Sequence, residues 1–161
     1  MTARDVIQTL GLAPHPEGGW YREIYRSADR VQRGTETRSA TTAIYYLLEH
    51  QQLSRWHVVD ADEIWHFYGG APLELLSYDP RSRELKREVL HSTAADTRPV
   101  GVIPAGVWQA ARTLAQAPGE YSLVGCTVSP GFEFAGFRFT IDLPDHSAHF
   151  VGDLSQYAAL L

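Results

Sequence analysis

From Thr41 onward the chain is a succession of short apolar runs separated by turn residues. The runs are TTAIYYLLE, SRWHVV, EIWHFYGG, PLELLSYD, ELKREVL, GVIPAGVWQAAR, YSLVGCTVS and FRFTIDL. Gly, Pro and Asp recur in the separators DAD, GGAP, DPRSR, PAG, APGE and PGFEFAG, as tight turns require. Many short strands at regular spacing predict a β-sandwich or barrel, most simply a double-sheet jelly roll. The crossover helices that a parallel α/β fold needs are missing from this pattern.

The ends of the chain follow a different pattern. TARDVIQTLGL predicts a short N-terminal helix that Thr2 caps and Gly11 ends. HPEGGWYREIYRS then predicts a turn and a strand. Its alternation places Trp20, Arg22, Ile24 and Arg26 on one side. Residues 28–40 are polar and predict an exposed loop, whereas the tail DLSQYAALL returns to helical spacing. At 161 residues the whole chain, 1–161, is expected to be a single domain.

Composition narrows the classes of partner. The net charge of −5 argues against a nucleic-acid partner, which would need a basic face. No run approaches the roughly 18–20 apolar residues that span a bilayer, so no membrane partner is expected. The N-terminus has no apolar signal segment, and a cytoplasmic location is therefore expected. Cys126 is the only cysteine, which excludes an intramolecular disulfide, and its apolar surroundings predict a buried thiol.

The stretch RWHVVDADEIWHFYGG, residues 55–70, concentrates the polar chemistry of the chain. It predicts two strands joined by DAD, and one face of the second strand carries Glu63, Trp65 and Phe67. If that aromatic face lines the barrel, His57 and Glu63 both point inward while His66 points outward. A carboxylate beside an imidazole fixes its tautomer and raises its basicity, so His57 and Glu63 are candidate catalytic residues. The alternative is a purely structural hydrogen-bonded pair.

These residues resemble the motifs of the cupin superfamily. The first cupin motif, G-x5-H-x-H-x3,4-E-x6-G, is matched at His57, Glu63 and Gly70, with Val59 at the second histidine position. The second motif, P-x-G-x2-H-x3-N, is matched at Pro104 and Gly106, with Gln109 at the histidine position.

Longer stretches resemble a small cupin family of unknown function. They are HPEGGWYREIYRS, TAIYYLL, SRWHVVDADEIWHFYGG, PAGVWQAA and LVGCTVSPGFEFAGF, within residues 15–137. The resemblance implies an all-β cupin double-stranded β-helix (jelly roll), here with a short N-terminal helix, and a homodimer. It implies no particular reaction.

The resemblance also raises the question of a metal. It implies a divalent ion, Fe, Mn, Zn or Ni, on His57, Glu63 and Gln109. An amide oxygen is a weak ligand and Val59 cannot bind a metal, so this set is weaker than the three-histidine, one-glutamate cupin site. A metal-free relative with the same fold, the sugar-nucleotide 3,5-epimerase, uses a barrel histidine to remove a proton next to a ketone.

Three functions therefore stay open. One is a small-molecule-binding protein or enzyme with a barrel cavity, for example a proton-transfer isomerase or epimerase acting on a sugar or keto-acid derivative. The second is a metal-dependent cupin enzyme, and the third is a non-catalytic binding or structural dimer.

Side chains outside the His57–Glu63 pair complete the predicted ligand site. Its barrel wall is predicted to contain Trp65, Phe67, Trp108 and Gln109. HPEGG predicts a rigid lead-in to the first strand. Alternatively it forms a lid that brings Glu17, with Arg22 or Arg26, to an anionic ligand, because the arginine fork suits a carboxylate or phosphate. The loop 129–134 is expected near the same rim.

Overall fold

The computed structural model describes residues 1–161, and β-strands carry most of the fold. The helices are α1 (Ala3–Leu10) and α2 (His146–His149), with 3₁₀ segments at Phe134–Gly136, Thr140–Asp142 and Gly152–Leu160. The strands are β1 (Ala13–Pro14), β2 (Trp20–Arg26), β3 (Arg30–Arg33), β4 (Glu36–Ser39), β5 (Thr42–Glu49), β6 (Leu53–Val59), β7 (Asp62–Gly70), β8 (Leu73–Asp79), β9 (Glu84–Leu90), β10 (Val100–Ile103), β11 (Trp108–Thr113), β12 (Tyr121–Ser129) and β13 (Phe137–Phe139).

The strands form two antiparallel sheets and one separate hairpin. The first sheet has the order β1-β2-β5-β12-β7-β10, the second has the order β13-β6-β11-β8-β9, and β3 pairs with β4. The predicted all-β jelly roll is confirmed. However, β6 and β7 do not pair as the sequence suggested, because the chain crosses from the second sheet to the first between them. His57 and Glu63 therefore approach each other across the barrel interior.

Helix α1 covers the outer face of the first sheet. Thr2 accepts a hydrogen bond from the Asp5 backbone N–H, and Asp5 accepts one from the Thr2 backbone N–H, which completes a capping box. Gly11 ends the helix in the left-handed conformation, with φ of 62°. Val6 packs against Leu47 of β5. The predicted N-terminal helix is confirmed, and it brings the Leu10 carbonyl close to β2.

Two apolar clusters lie on opposite faces of the second sheet. The interior cluster joins the sheets and includes Tyr46, Leu48, Trp65, Leu75, Ile103 and Val124. The outer cluster includes Trp56, Leu76, Tyr78, Trp108, Leu154 and Tyr157, so the C-terminal 3₁₀ segment covers this face. Trp108 alternates with the inward-facing Gln109 along β11, and for that reason it points away from the barrel interior.

Three other local expectations were wrong. Residues 28–40 contain the β3–β4 hairpin instead of an exposed loop, because the buried Arg38 guanidinium pairs with Asp60. GVIPAGVWQAAR forms two strands, β10 and β11, which belong to different sheets. In β2 a bulge between Glu23 and Tyr25 breaks the simple alternation. No helix of the chain combines the length and apolar character needed to cross a membrane.

Candidate functional site

The barrel contains a cavity of about 330 Å³, bordered by β2, β5, β6, β7, β12 and the segment 132–137. Its inner end, the cavity floor, consists of His15, Glu17, His57, Glu63 and Cys126. Its outer end, the cavity mouth, is formed by the exposed side chains of Arg22, Glu23, Arg26 and Phe134 and the half-buried Glu133. This volume lies at the small end of the range for small-molecule sites.

A tight turn before β2 delivers Glu17 to the cavity floor. Gly18 has φ of 114°, and a Cβ there would lie 2.1 Å from the Leu53 carbonyl oxygen, so only glycine lets the turn press against β6. The Ser54 hydroxyl donates to Glu17 Oε1 at 2.9 Å, and the Arg55 backbone N–H donates to the Glu17 carbonyl at 3.0 Å. HPEGG is therefore a rigid turn that also contributes a side chain to the cavity.

His57 has one ring nitrogen fixed and the other directed at Glu17. Its Nδ1 lies 2.7 Å from the Arg55 carbonyl oxygen, which can only accept, so Nδ1 carries the proton in the neutral ring. Nε2 then bears the lone pair and lies 3.3 Å from Glu17 Oε2. The imidazole also stacks on Phe137, with ring centroids 5.2 Å apart.

Burial favours the neutral forms of both members of this Glu17–His57 pair. It lowers the pKa of His57 below its usual value and raises the pKa of Glu17. In both cases the largest cause is the loss of water around the group, which disfavours its charged form. The sequence predicted Glu63 as the carboxylate partner of His57. The structure instead places Glu17 in contact with the imidazole.

Glu63 lies on the same floor and is held from behind by Gln109. The Gln109 side-chain N–H donates to Glu63 Oε2 at 2.6 Å, and Gln109 Oε1 accepts the Trp65 indole N–H at 2.9 Å. Burial raises the pKa of Glu63, with nearby His57 acting in the opposite direction. Glu63 thus borders the cavity as predicted, while Gln109 and Trp65 stand behind it.

The sequence did not identify His15 as a floor residue. Its Nδ1 accepts the Glu17 backbone N–H at 3.2 Å and lies 3.8 Å from Glu17 Oε2. Burial lowers the pKa of His15. The spacing of His15 and Glu17 within the Pro/Gly turn was the available signal, because such a turn fixes both side chains relative to each other.

The predicted aromatic wall is not the observed one. Phe67 packs against the interior cluster and tilts toward His91, with centroids 5.0 Å apart, and Trp108 belongs to the outer cluster. Phe132 and Phe134, in the loop 129–134 predicted to lie near the rim, line the cavity instead, together with Phe137. Arg22, Arg26 and Glu17 also line it, so these predicted positions do meet in one place.

The predicted metal ligands do not form a coordination set. Gln109 Oε1 already accepts the Trp65 N–H, His57 Nδ1 donates to a carbonyl, and Val59 provides an apolar side chain. No group of three or more His, Cys, Asp or Glu side chains has the geometry to hold a metal ion. The donor chemistry of His57, Glu63 and Gln109 therefore does not fit the implied divalent ion.

Comparisons with known proteins agree on fold and family. Residues 4–140 match the sequence profile described as "Cupin superfamily (DUF985)". A hypothetical protein from Leishmania major is 30% identical, with a TM-score of 0.83 and coverage of 97% of this chain and 98% of the other. A protein from Shewanella oneidensis is 32% identical, with a TM-score of 0.81 and coverage of 99% and 94%.

A more distant structure shows the fold alone. It is an uncharacterized conserved protein with a double-stranded β-helix domain from Klebsiella pneumoniae, 12% identical, with a TM-score of 0.51 and coverage of 79% and 88%. No functionally curated protein matches the chain.

Proposed function

The chain belongs to the DUF985 family of the cupin superfamily, and on that premise we propose that it binds a small molecule in the barrel cavity and transfers a proton on it, as an isomerase or epimerase does. The observation that carries the proposal is the Glu17–His57 pair. It places an imidazole lone pair 3.3 Å from a carboxyl oxygen at the floor of a cavity of ligand size. Catalytic hydrogen bonds are often long before a ligand binds, so this separation suits an acid–base pair.

The pair supplies a base and an acid in two protonation states. When Glu17 is ionised, His57 Nε2 can accept a proton from a carbon next to a carbonyl group, and the electron pair moves to the carbonyl oxygen. Glu63 lies on the same floor with a raised pKa, so it can donate to that developing oxyanion. Return of the proton from His57 to a neighbouring carbon gives an isomer. Delivery of a proton from water to the opposite face of the same carbon, with loss of the His57 proton to water, gives an epimer, and neither route involves a redox change.

Deuterium incorporation measured by NMR tests this chemistry. A panel of 2-keto acids and 4-keto nucleotide sugars is incubated in D₂O with the wild type, His57→Asn, Glu17→Gln and the surface control Arg81→Gln. Asn retains a donor for the Arg55 carbonyl but removes the base. We expect the wild type and Arg81→Gln to exchange one panel compound, and His57→Asn to be slower by about 10²-fold or more.

Each outcome decides between the functions. Exchange by His57→Asn at the wild-type rate would show that His57 is not the base. Ligand binding without exchange by any panel compound would refute proton transfer and leave a non-catalytic binding protein. Cupin superfamily members often bind metals, but the side chains of this chain do not form a metal site that could take part in the reaction.

The predicted homodimer and cytoplasmic location stay predictions. For a dimer, the outer face of the first sheet offers exposed apolar side chains, Tyr25, Tyr68, Val100 and Val102. Sedimentation equilibrium of the wild type and of Tyr68→Glu measures whether this face joins two copies. An unchanged mass for the variant would exclude it as the interface.

A further inference from the structure

The two arginines at the cavity mouth differ in what they already bind. Arg26 makes ion pairs with Glu23 at 2.9 Å and with Glu133 at 3.0 Å. Arg22, four residues earlier on β2, has no carboxylate within 4 Å. A guanidinium with no anionic partner at the mouth of a cavity is available to an anionic group of a ligand.

Arg22 is nevertheless held in place. Its Nη1 donates to the Leu10 carbonyl at 2.6 Å, at the C-terminal end of α1, where the helix dipole favours a cation. Gly11 leaves room for this contact, since a Cβ there would lie 3.3 Å from Arg22 Nη1. This is its one hydrogen bond to the protein, and a guanidinium has five N–H donors. The remaining donors are therefore preorganised rather than freely mobile.

Arg26 has a different role, because it connects residues 132–134 to β2. Besides its ion pair with Glu133, its Nη2 donates to the Phe132 carbonyl at 3.1 Å. These contacts fix residues 132–134 beside the strand that carries Arg22. The aromatic side chains of residues 132–134 and the guanidinium of Arg22 therefore lie together at the cavity mouth.

The wall offered by residues 132–137 is aromatic and apolar. Phe132 and Phe134 meet edge to face with centroids 5.1 Å apart, and Phe137 stacks on His57. Phe134 is 56% exposed although it lines the cavity. A ligand with a flat apolar face can cover this exposed ring, and removal of the two apolar surfaces from water favours binding. A sugar would bring hydroxyl groups to this wall without hydrogen-bond partners.

We infer that the cavity takes a ligand with a flat, apolar body and one anionic group, a carboxylate or a phosphate. Arg22 binds the anionic group, Phe134 packs against the body, and the opposite end reaches the floor. This inference shares its cavity with the proposed function and narrows the substrate class, but binding at the mouth does not depend on proton transfer at the floor.

Matched probe molecules separate the contribution of the anionic group from that of the flat apolar body. Benzoate and phenyl phosphate carry the flat body with either anion, benzamide keeps the body without charge, and glucuronate keeps the charge without a flat face. Each is titrated into the ¹⁵N-labelled full chain and followed by amide chemical shifts. We expect benzoate or phenyl phosphate to bind at the cavity at least tenfold more tightly than benzamide or glucuronate. The stronger of the two identifies the anion.

Variants test the residues individually. Arg22→Gln is expected to weaken the anionic probe about tenfold or more, as loss of a charge-assisted contact does, and to leave benzamide unchanged. Arg22→Lys keeps the positive charge but lacks the two-pronged guanidinium, so its affinity for the anionic probe should fall between those of the wild type and Arg22→Gln. Phe134→Leu keeps an apolar side chain without the flat ring and should weaken all aromatic probes alike. Arg81→Gln is the control for loss of a surface charge.

The opposing results are equally specific. Glucuronate binding as tightly as benzoate would overturn the flat apolar body, and equal affinities for Arg22→Gln and Arg81→Gln would overturn the role of Arg22. His57→Asn should still bind the anionic probe. If that variant binds but the wild type exchanges no deuterium, the proposed reaction fails while the ligand class stands.

Discussion

Replacing Gln109 by leucine should destabilise the fold strongly, although the two side chains have similar volumes. Gln109 is fully buried and joins two other buried groups, donating to Glu63 Oε2 and accepting the Trp65 N–H. Leucine at this position leaves both of these buried groups without a hydrogen-bond partner and opens no cavity. A buried polar group without its partner costs about 1–3 kcal/mol, so Gln109→Leu should lower the free energy of unfolding by about 2–6 kcal/mol.

Urea denaturation at pH 7 measures this change, and a double-mutant cycle assigns it. Trp65→Phe removes the indole N–H, so Gln109→Leu in that background should cost less than in the wild type by about 1–3 kcal/mol. A loss below about 0.5 kcal/mol in the wild type, or an equal loss in both backgrounds, would refute the connecting role of Gln109. A side chain kept for a metal would show the opposite pattern, with little change in the stability of the metal-free protein.

Three further outcomes follow from other parts of the structure. Burial raises the pKa of Glu63 above 4.5, so its contribution to stability is lost as the pH rises from 4.5 through the folded pKa. The unfolding free energy of Glu63→Gln relative to the wild type should accordingly increase between pH 5 and pH 8, and a flat difference would contradict the raised pKa. Gly18→Ala should cost about 2–5 kcal/mol in urea denaturation, because it combines positive φ with a backbone clash. Gly34 also has a positive φ, 59°, but open space around it, so Gly34→Ala should lower the free energy of unfolding clearly less than Gly18→Ala does. Thr2→Ala removes the capping box of α1 and should cost about 1 kcal/mol by the same assay, without changing benzoate binding.

More of the fold than of the candidate site could be predicted from the sequence. Turn residues and period-two runs predict the strands because both are local properties, and the resemblance of the stretch around His57, Glu63 and Gly70 to a cupin motif implies the barrel. Sheet membership is not local, and for that reason the sequence predicts a pair of β6 and β7 although the two strands lie in different sheets. Trp108 was assigned to the barrel wall because strand alternation does not reveal which face a C-terminal segment covers.

The partner of His57 was missed for a related reason. Glu17 lies forty positions before His57 in the sequence, and what brings it to the floor is the contact of the Gly18 turn with β6. The turn was recognisable from its Pro and Gly residues. Its docking position depends on the Leu53 carbonyl and the Ser54 hydroxyl, whose roles become visible only when the strands are assembled.

The two buried carboxyl groups on the floor are held in the same way, and this shared arrangement explains how the cavity can retain them. Each has one oxygen bound by a neutral donor, the Ser54 hydroxyl for Glu17 and the Gln109 amide for Glu63. Neither carboxyl lies in an ion pair with a lysine or arginine, so burial keeps the pKa of both groups high. The cupin positions at which ligating histidines would stand are occupied by Val59, which cannot bind a proton, and by Gln109, which orients Glu63. With no ligating histidine at either position, the polar chemistry of this floor rests on its histidines and on the carboxyl groups of Glu17 and Glu63, whose pKa values burial raises.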